Sequence, residues 1–90
     1  MSTVFIPEYL VTRYSLPSEY QSIEGTIEKI LNNLASQYPS VKPFLYDDCG
    51  RIRRFVNIFL DGEDIRGLAG IESTVDLNSE IVIVLAIAGG

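Results

Sequence analysis

The residues whose types and spacing point to chemistry stand together at the end of the chain: Ala86, Ile87, Ala88, Gly89 and Gly90. Glycine costs backbone entropy and packs no side chain, so a terminal pair does not help a fold. A terminal α-carboxylate is ionised at neutral pH. If a partner positions it against ATP, it can attack the α-phosphorus and form an acyl-adenylate, which then accepts sulfur, an amine or a thiol.

The small side chains of this tail suit passage through a narrow active-site tunnel, with Ile87 as a candidate anchor. We therefore predict that Ala86, Ile87, Ala88 and Gly89 thread the tail and that the Gly90 carboxylate is the reacting group. The alternative is a frayed end, since termini concentrate disorder. Chance alone puts two glycines at a terminus in roughly one chain in 200.

Other catalytic chemistry is poorly supported by the composition. The chain has no His and a single Cys. Zinc sites and Ser/His/Asp or Cys/His machinery are therefore excluded, and no acid–base pair stands out. We expect no bound metal or cofactor and no activity of the chain by itself. Cys49 is interpreted as an ordinary loop thiol.

The charge balance narrows the class of partner. The net charge is −5, which argues against nucleic acid and anionic membranes and favours a basic protein surface. Arg51, Arg53 and Arg54 form the densest positive cluster, either a solvated surface or a steering element for a partner.

No apolar run reaches the ~18 residues of a membrane helix, and the N-terminus does not resemble a signal peptide. These features predict a cytoplasmic protein.

The clearest predicted element is a helix over residues 27–38, within a single domain spanning residues 1–90. Thr26 precedes it as an N-cap candidate, and Pro39 ends it. Its apolar positions recur at helical spacing and define one stripe. The stripe consists of Ile27, Ile30, Leu31, Leu34 and Tyr38. A helix with one apolar side needs a sheet to cover.

Strands are predicted before and after this helix from β-branched and aromatic composition. Residues 3–6 and 20–24 read as strands, residues 9–14 continue the β-forming composition, and together they suggest an N-terminal hairpin. Residues 55–60 form a strong strand that ends at the turn Asp61-Gly62.

The second half of the sheet completes the pattern. Residues 63–66 read as a short strand, and residues 80–85 as the last one, while residues 43–46 suggest a helical turn. Alternation assigns one set of side chains to the face that meets the helix. That set is Val56, Ile58, Leu60, Ile81, Ile83 and Leu85.

The order of elements predicts an α+β fold, a mixed sheet on one main helix in the arrangement of a β-grasp. The uncovered face then presents Phe55, Phe59, Val82 and Val84. Exposed apolar side chains beside a flexible tail indicate a docking patch for a partner. The alternative is that the N-terminal hairpin or residues 40–54 fold over them.

The tail and the central stretch of residues 54–66 resemble the ThiS/MoaD family of ubiquitin-like sulfur carriers, in particular its CysO-like and MoaD-like members. Ile6-Pro7 with Leu10, and Gly25-Thr26-Ile27, are also similar. The resemblance implies that a MoeB/ThiF-like enzyme using ATP and Mg²⁺ adenylates Gly90. A persulfide sulfur then gives a thiocarboxylate, which a downstream enzyme accepts, for instance in cysteine biosynthesis.

Three other functions compete with this hypothesis. The chain is alternatively the small subunit of a molybdopterin synthase, or a ubiquitin-like modifier whose adenylate ends in an isopeptide to a lysine. A noncatalytic β-grasp binding module with an incidental tail is the third. The last predicts that deletion of Gly89 and Gly90 leaves the function intact.

Overall fold

A computed structural model describes residues 1–22 and 25–86 of the chain. The helices are α1 (Glu8–Tyr14), α2 (Ile27–Gln37) and the short α3 (Lys42–Leu45). The strands are β1 (Ser2–Phe5), β2 (Glu19–Ser22), β3 (Gly25–Thr26), β4 (Val56–Leu60), β5 (Glu63–Asp64), β6 (Thr74–Val75) and β7 (Glu80–Leu85). Single 3₁₀ turns occupy Pro39–Val41, Ile65–Gly67 and Gly70–Glu72.

The main sheet has five strands in the order β2-β1-β7-β4-β5. Strands β1 and β7 run parallel at its centre, and the other neighbours are antiparallel. A second, two-stranded sheet joins β3 to β6. The predicted mixed sheet is therefore present, and its last strand lies in the middle rather than at an edge.

Helix α2 covers one face of this sheet, as its apolar stripe predicts. Thr26 caps the helix, and its hydroxyl accepts a hydrogen bond from the Lys29 backbone N–H at 3.2 Å. Burying each large aliphatic side chain of the stripe contributes roughly 1.5–3 kcal/mol. The buried members of the stripe are Ile27, Ile30, Leu31 and Leu34, and Tyr38 packs against the core as a partly buried residue.

The inner face of the sheet is also as predicted. Alternate residues of β4 and β7 point at α2, and all of them are buried except Leu85, which is partly buried. Asp61 and Gly62 adopt positive φ values of 50° and 86°, which a two-residue hairpin turn between β4 and β5 requires. The predicted turn is thus confirmed, and it delivers β4 into its pairing with β5.

The β-type interpretation of residues 9–14 is wrong, because they belong to helix α1. Pro7 precedes the helix with extended dihedrals, and Ser15 ends it in the left-handed conformation. Leu10 is the residue of this helix that is buried in the core, and Val11 and Tyr14 pack against that core as partly buried side chains. A short apolar run does not separate the two periods, and here tertiary burial outweighs β-propensity. Strands β1 and β2 still pair, but helix α1 lies in the connection between them.

Three further boundaries differ from the prediction. Residues 63–66 form a strand only over Glu63–Asp64, because the Asp64 carboxylate accepts from the Arg66 N–H and caps the following 3₁₀ turn. The pairing of β3 with β6 was not predicted, since each contains only two residues. The second strand is seen over Glu19–Ser22, and residues 23 and 24 lie outside the described part.

Candidate docking face and base of the tail

Strand β7 divides its side chains between two environments. Ile81 and Ile83 are buried against α2, whereas Val82 and Val84 are 36% and 42% exposed on the opposite face. This opposite face is called the outer face below. The two exposed valines are therefore where the sequence places them, on a surface that α2 does not cover.

The sheet register sets an apolar row across the outer face. Val82 lies opposite Phe59 of β4 and beside Phe5 of β1. Phe5 and Phe59 are each partly buried. Phe5 was missed at the sequence level. The alternation of buried Val4 with Phe5 was the available signal, once β1 was known to pair with β7.

Phe55 occupies a different environment from the other three predicted docking residues. It precedes β4, and its ring meets the ring of Phe44 edge-on at 5.3 Å between centroids. Phe44 in turn packs on Tyr9 of α1 at 5.7 Å. The alternative that residues 40–54 fold over the patch thus holds for Phe55, which is partly buried against the core. Phe59, Val82 and Val84 are brought together without it.

The polar edge of the outer face is organised by Arg66. Its guanidinium pairs with the Asp64 carboxylate at 2.8 Å and also donates to the Asn57 side chain. Asn57 lies opposite Val84, so the cation borders the apolar row. The hydrogen bonds from Arg66 hold the pKa of Asp64 below its usual value, and the Asp64 carboxylate raises the pKa of Arg66.

The base of the tail is tied to the sheet by its backbone. The Ala86 N–H donates to the Phe55 carbonyl oxygen at 2.8 Å, one residue beyond the β4–β7 pairing. Ala86, the last described residue, therefore lies beside Phe55 at the end of β7. The predicted threading and reacting residues Ile87, Ala88, Gly89 and Gly90 lie outside the described residues.

Two of the remaining candidate positions, Cys49 and Arg51, lie in the turn that Asp47 organises. The Asp47 carboxylate accepts from the Cys49 and Arg51 N–H groups, which shapes the predicted turn around exposed Cys49. Across residues 1–22 and 25–86, no group of three His, Cys, Asp or Glu side chains converges on a metal-sized space. In the same part of the chain, no helix is long and apolar enough to cross a membrane.

Comparison with known proteins identifies proteins that are similar to this chain. No protein-family model matches the chain. The sulfur carrier protein CysO of Mycobacterium tuberculosis is 28% identical over 90 residues, which is 98% of this chain and 97% of the relative. The sulfur carrier protein CysO of Mycobacterium bovis matches equally.

Solved structures give the same result. The Amycolatopsis orientalis BexX/CysO complex contains a chain that is 28% identical, with a TM-score of 0.87 and full coverage of both chains. Mycobacterium tuberculosis CysO has a TM-score of 0.84 at 25% identity, over 97% of this chain and all of that one. Small archaeal modifier protein 1 from Methanosarcina acetivorans, at 22% identity and a TM-score of 0.86 over 99% and 95% of the two chains, shows the fold alone.

The mixed sheet on one main helix and these likenesses show that the chain has the β-grasp, or ubiquitin-like, fold. Within that class, the similarity over the full chain is to the sulfur carrier protein CysO. The resemblance to ThiS/MoaD-type sulfur carriers, predicted from the sequence, is thereby confirmed.

Proposed function

We propose that this chain carries sulfur as a thiocarboxylate on Gly90, after a MoeB/ThiF-like enzyme has adenylated that residue. The observation that supports the proposal most strongly is the similarity to CysO over 98% of the chain. The Gly89-Gly90 ending supplies the group that the chemistry needs. In this role the chain is a protein substrate and not a catalyst.

The chemistry proceeds at the tail in two stages. A Gly90 carboxylate oxygen attacks the α-phosphorus of ATP, and pyrophosphate leaves. A persulfide sulfur then attacks the acyl carbon and displaces AMP, and a thiol reduces the acyl disulfide to the thiocarboxylate. ATP and Mg²⁺ are bound by the activating enzyme, and this chain supplies only the carboxylate. The cytoplasm, where ATP is available, is the compartment that the proposal implies.

The outer face is the surface that we assign to the activating enzyme. Phe59, Val82 and Val84 form an apolar patch on the strands that lead to the tail, and Phe5 extends it. Aromatic anchors at the centre of such patches dominate binding energy. Phe55 serves differently, because its carbonyl fixes the base of the tail.

The downstream partner is an enzyme that accepts the sulfur. The Amycolatopsis orientalis CysO was solved in a complex with BexX, so that relative binds a second protein. We propose an analogous partner here, acting in the biosynthesis of cysteine or another sulfur-containing metabolite. The full-length similarity to CysO favours this over the small subunit of a molybdopterin synthase.

Intact-protein mass spectrometry tests the proposal directly. The full chain is incubated with a MoeB/ThiF-like enzyme, ATP, Mg²⁺ and a persulfide donor. We expect a mass gain that matches the exchange of one oxygen for one sulfur, absent from a chain that lacks Gly90. A wild-type chain that never gains this mass contradicts the proposal. Conjugates to lysines that disappear with Gly90 would instead support the modifier alternative.

A further inference from the structure

A cavity of about 310 Å³ opens at the edge of β4. Strand β5 pairs with β4 only at Phe59 and Leu60, so the earlier half of β4, which pairs with β7 on its other side, borders this space without a strand partner on the β5 side. The floor is aliphatic and the rim carries three arginines. The floor residues are Ile52, Val56, Ile58, Ile65 and Ile71, and the rim residues are Arg53, Arg54, Arg66 and Asp64.

The rim concentrates positive charge in an acidic molecule. Three of the seven Lys and Arg residues line this one cavity, although the chain has a net charge of −5. The Asp64 carboxylate partly neutralises the charge of Arg66. The Nε–H of Arg53 donates a hydrogen bond to the Pro43 carbonyl oxygen at 2.8 Å. Arg54 is exposed at the same rim. Three guanidinium groups against one carboxylate favour a negatively charged occupant.

The aliphatic floor adds a second requirement. An inorganic anion satisfies arginines but gains nothing from isoleucine and valine side chains, whereas a carboxylate next to an aliphatic side chain satisfies both. Nucleic acid is disfavoured because its phosphates would also meet the twelve Asp and Glu residues of this chain. A peptide that carries an acidic residue beside an apolar one matches the cavity on both counts.

The cavity also adjoins the outer face. Arg66 stands on its rim and donates to Asn57, which lies opposite Val84. The outer face and the cavity are therefore continuous, and a partner that binds the outer face can also contact the cavity.

We propose that this cavity binds an acidic, aliphatic-containing peptide segment of a partner protein. The identification of this partner as the activating enzyme rests on the proposed function. The chemistry of the peptide that the cavity binds does not depend on that function. The segment would add a charge contact to the apolar docking and fix the orientation of the partner, because charge complementarity sets register and specificity.

A peptide titration tests the cavity without any enzyme. The ¹⁵N-labelled full chain is titrated with an acetylated, amidated peptide of alternating leucine and aspartate, and separately with its asparagine analogue. We expect amide shifts at Ile58, Ile65 and Gly70, and about tenfold weaker binding of the asparagine peptide. Equal binding of the two peptides, shifts located elsewhere, or equally tight binding of inorganic phosphate would overturn the proposal.

Two charge reversals give a matched comparison. Arg54→Glu removes a rim cation, whereas Arg51→Glu makes the same charge change in the Asp47 turn, outside the cavity lining. We expect about tenfold weaker peptide binding for Arg54→Glu and a change within about twofold for Arg51→Glu, with both chains folded by circular dichroism. Equal losses would show a general charge effect and contradict the site.

The two proposals fail separately. Peptide binding by a chain that never gains sulfur would contradict the carrier function and support the cavity. Normal thiocarboxylate formation with no peptide binding would contradict the cavity alone.

Discussion

Neighbouring residues of β7 experience opposite environments on the two faces of the same sheet. Ile83 is 3% exposed under α2, and Val84, the next residue, is 42% exposed on the outer face. Both side chains are β-branched and suit a strand equally. The difference therefore comes from what covers each face, which makes the inner face the source of stability and leaves the outer face available to a partner.

The largest expected effect lies on the inner face. Ile83→Ala should lower the free energy of unfolding by about 2–5 kcal/mol, because it leaves a cavity between the sheet and α2. Val84→Ala is the matched control and should change it by no more than about 0.5 kcal/mol. Urea denaturation of the two variants measures both values. Similar losses for the two would contradict the division between the faces.

The second effect lies on the outer face and concerns binding. Phe59→Ala removes the aromatic ring at the β4 end of the apolar row. We expect at least about tenfold weaker binding to a MoeB/ThiF-like enzyme, measured by isothermal titration calorimetry. Leu77→Ala, which truncates an exposed leucine in the turn before β7, should leave binding unchanged. Loss of affinity in both variants would place the contact elsewhere.

The third effect concerns the stability of helix α2, which buries the inner face of the sheet. Thr26→Ala removes the side-chain acceptor for the Lys29 N–H and should cost about 1 kcal/mol. Thr26→Ser keeps a capping hydroxyl and should retain most of that stability. Thermal unfolding compares the two. If serine destabilises as much as alanine, the contribution of Thr26 comes from β3–β6 pairing and not from the cap.

The smallest effect is a pH dependence on the outer face. Hydrogen bonds from Arg66 lower the pKa of Asp64 in the folded protein. The ionised Asp64 side chain therefore stabilises the fold fully at pH values above its ordinary pKa of about 4. The contribution is lost as the pH falls through the lower pKa of the folded state. Arg66→Gln should therefore make the acid-induced fall of the melting temperature shallower. Arg13→Gln carries the same charge change away from Asp64 and should keep the wild-type slope.

Periodicity predicted the inner face well. The stripe of α2 and the alternation in β4 and β7 each repeat over enough residues to identify which side is buried. Turn chemistry likewise located Asp61-Gly62. These features depend on local sequence, which explains why they could be predicted before the tertiary contacts were known.

Features that depend on tertiary contacts were missed or incomplete. Residues 9–14 contain too few periodic positions to distinguish helix from strand, and β3 and β6 are too short to leave a pattern. The cover of Phe44 over Phe55 follows from how α3 packs, which no local signal encodes. For the same reason the row that includes Phe5 emerged only from the register of β1 on β7.

The hydrogen bond from Ala86 to the Phe55 carbonyl has a consequence for partner selection. Four residues, 87–90, follow Ala86, and a fully extended chain of that length spans at most roughly 14 Å. If Gly90 is adenylated as we propose, an enzyme that binds the outer face must place the α-phosphorus of ATP within about that distance of Ala86. Under that proposal, an enzyme whose nucleotide lies farther than this from its docking surface could not reach Gly90 without first breaking the Ala86 hydrogen bond.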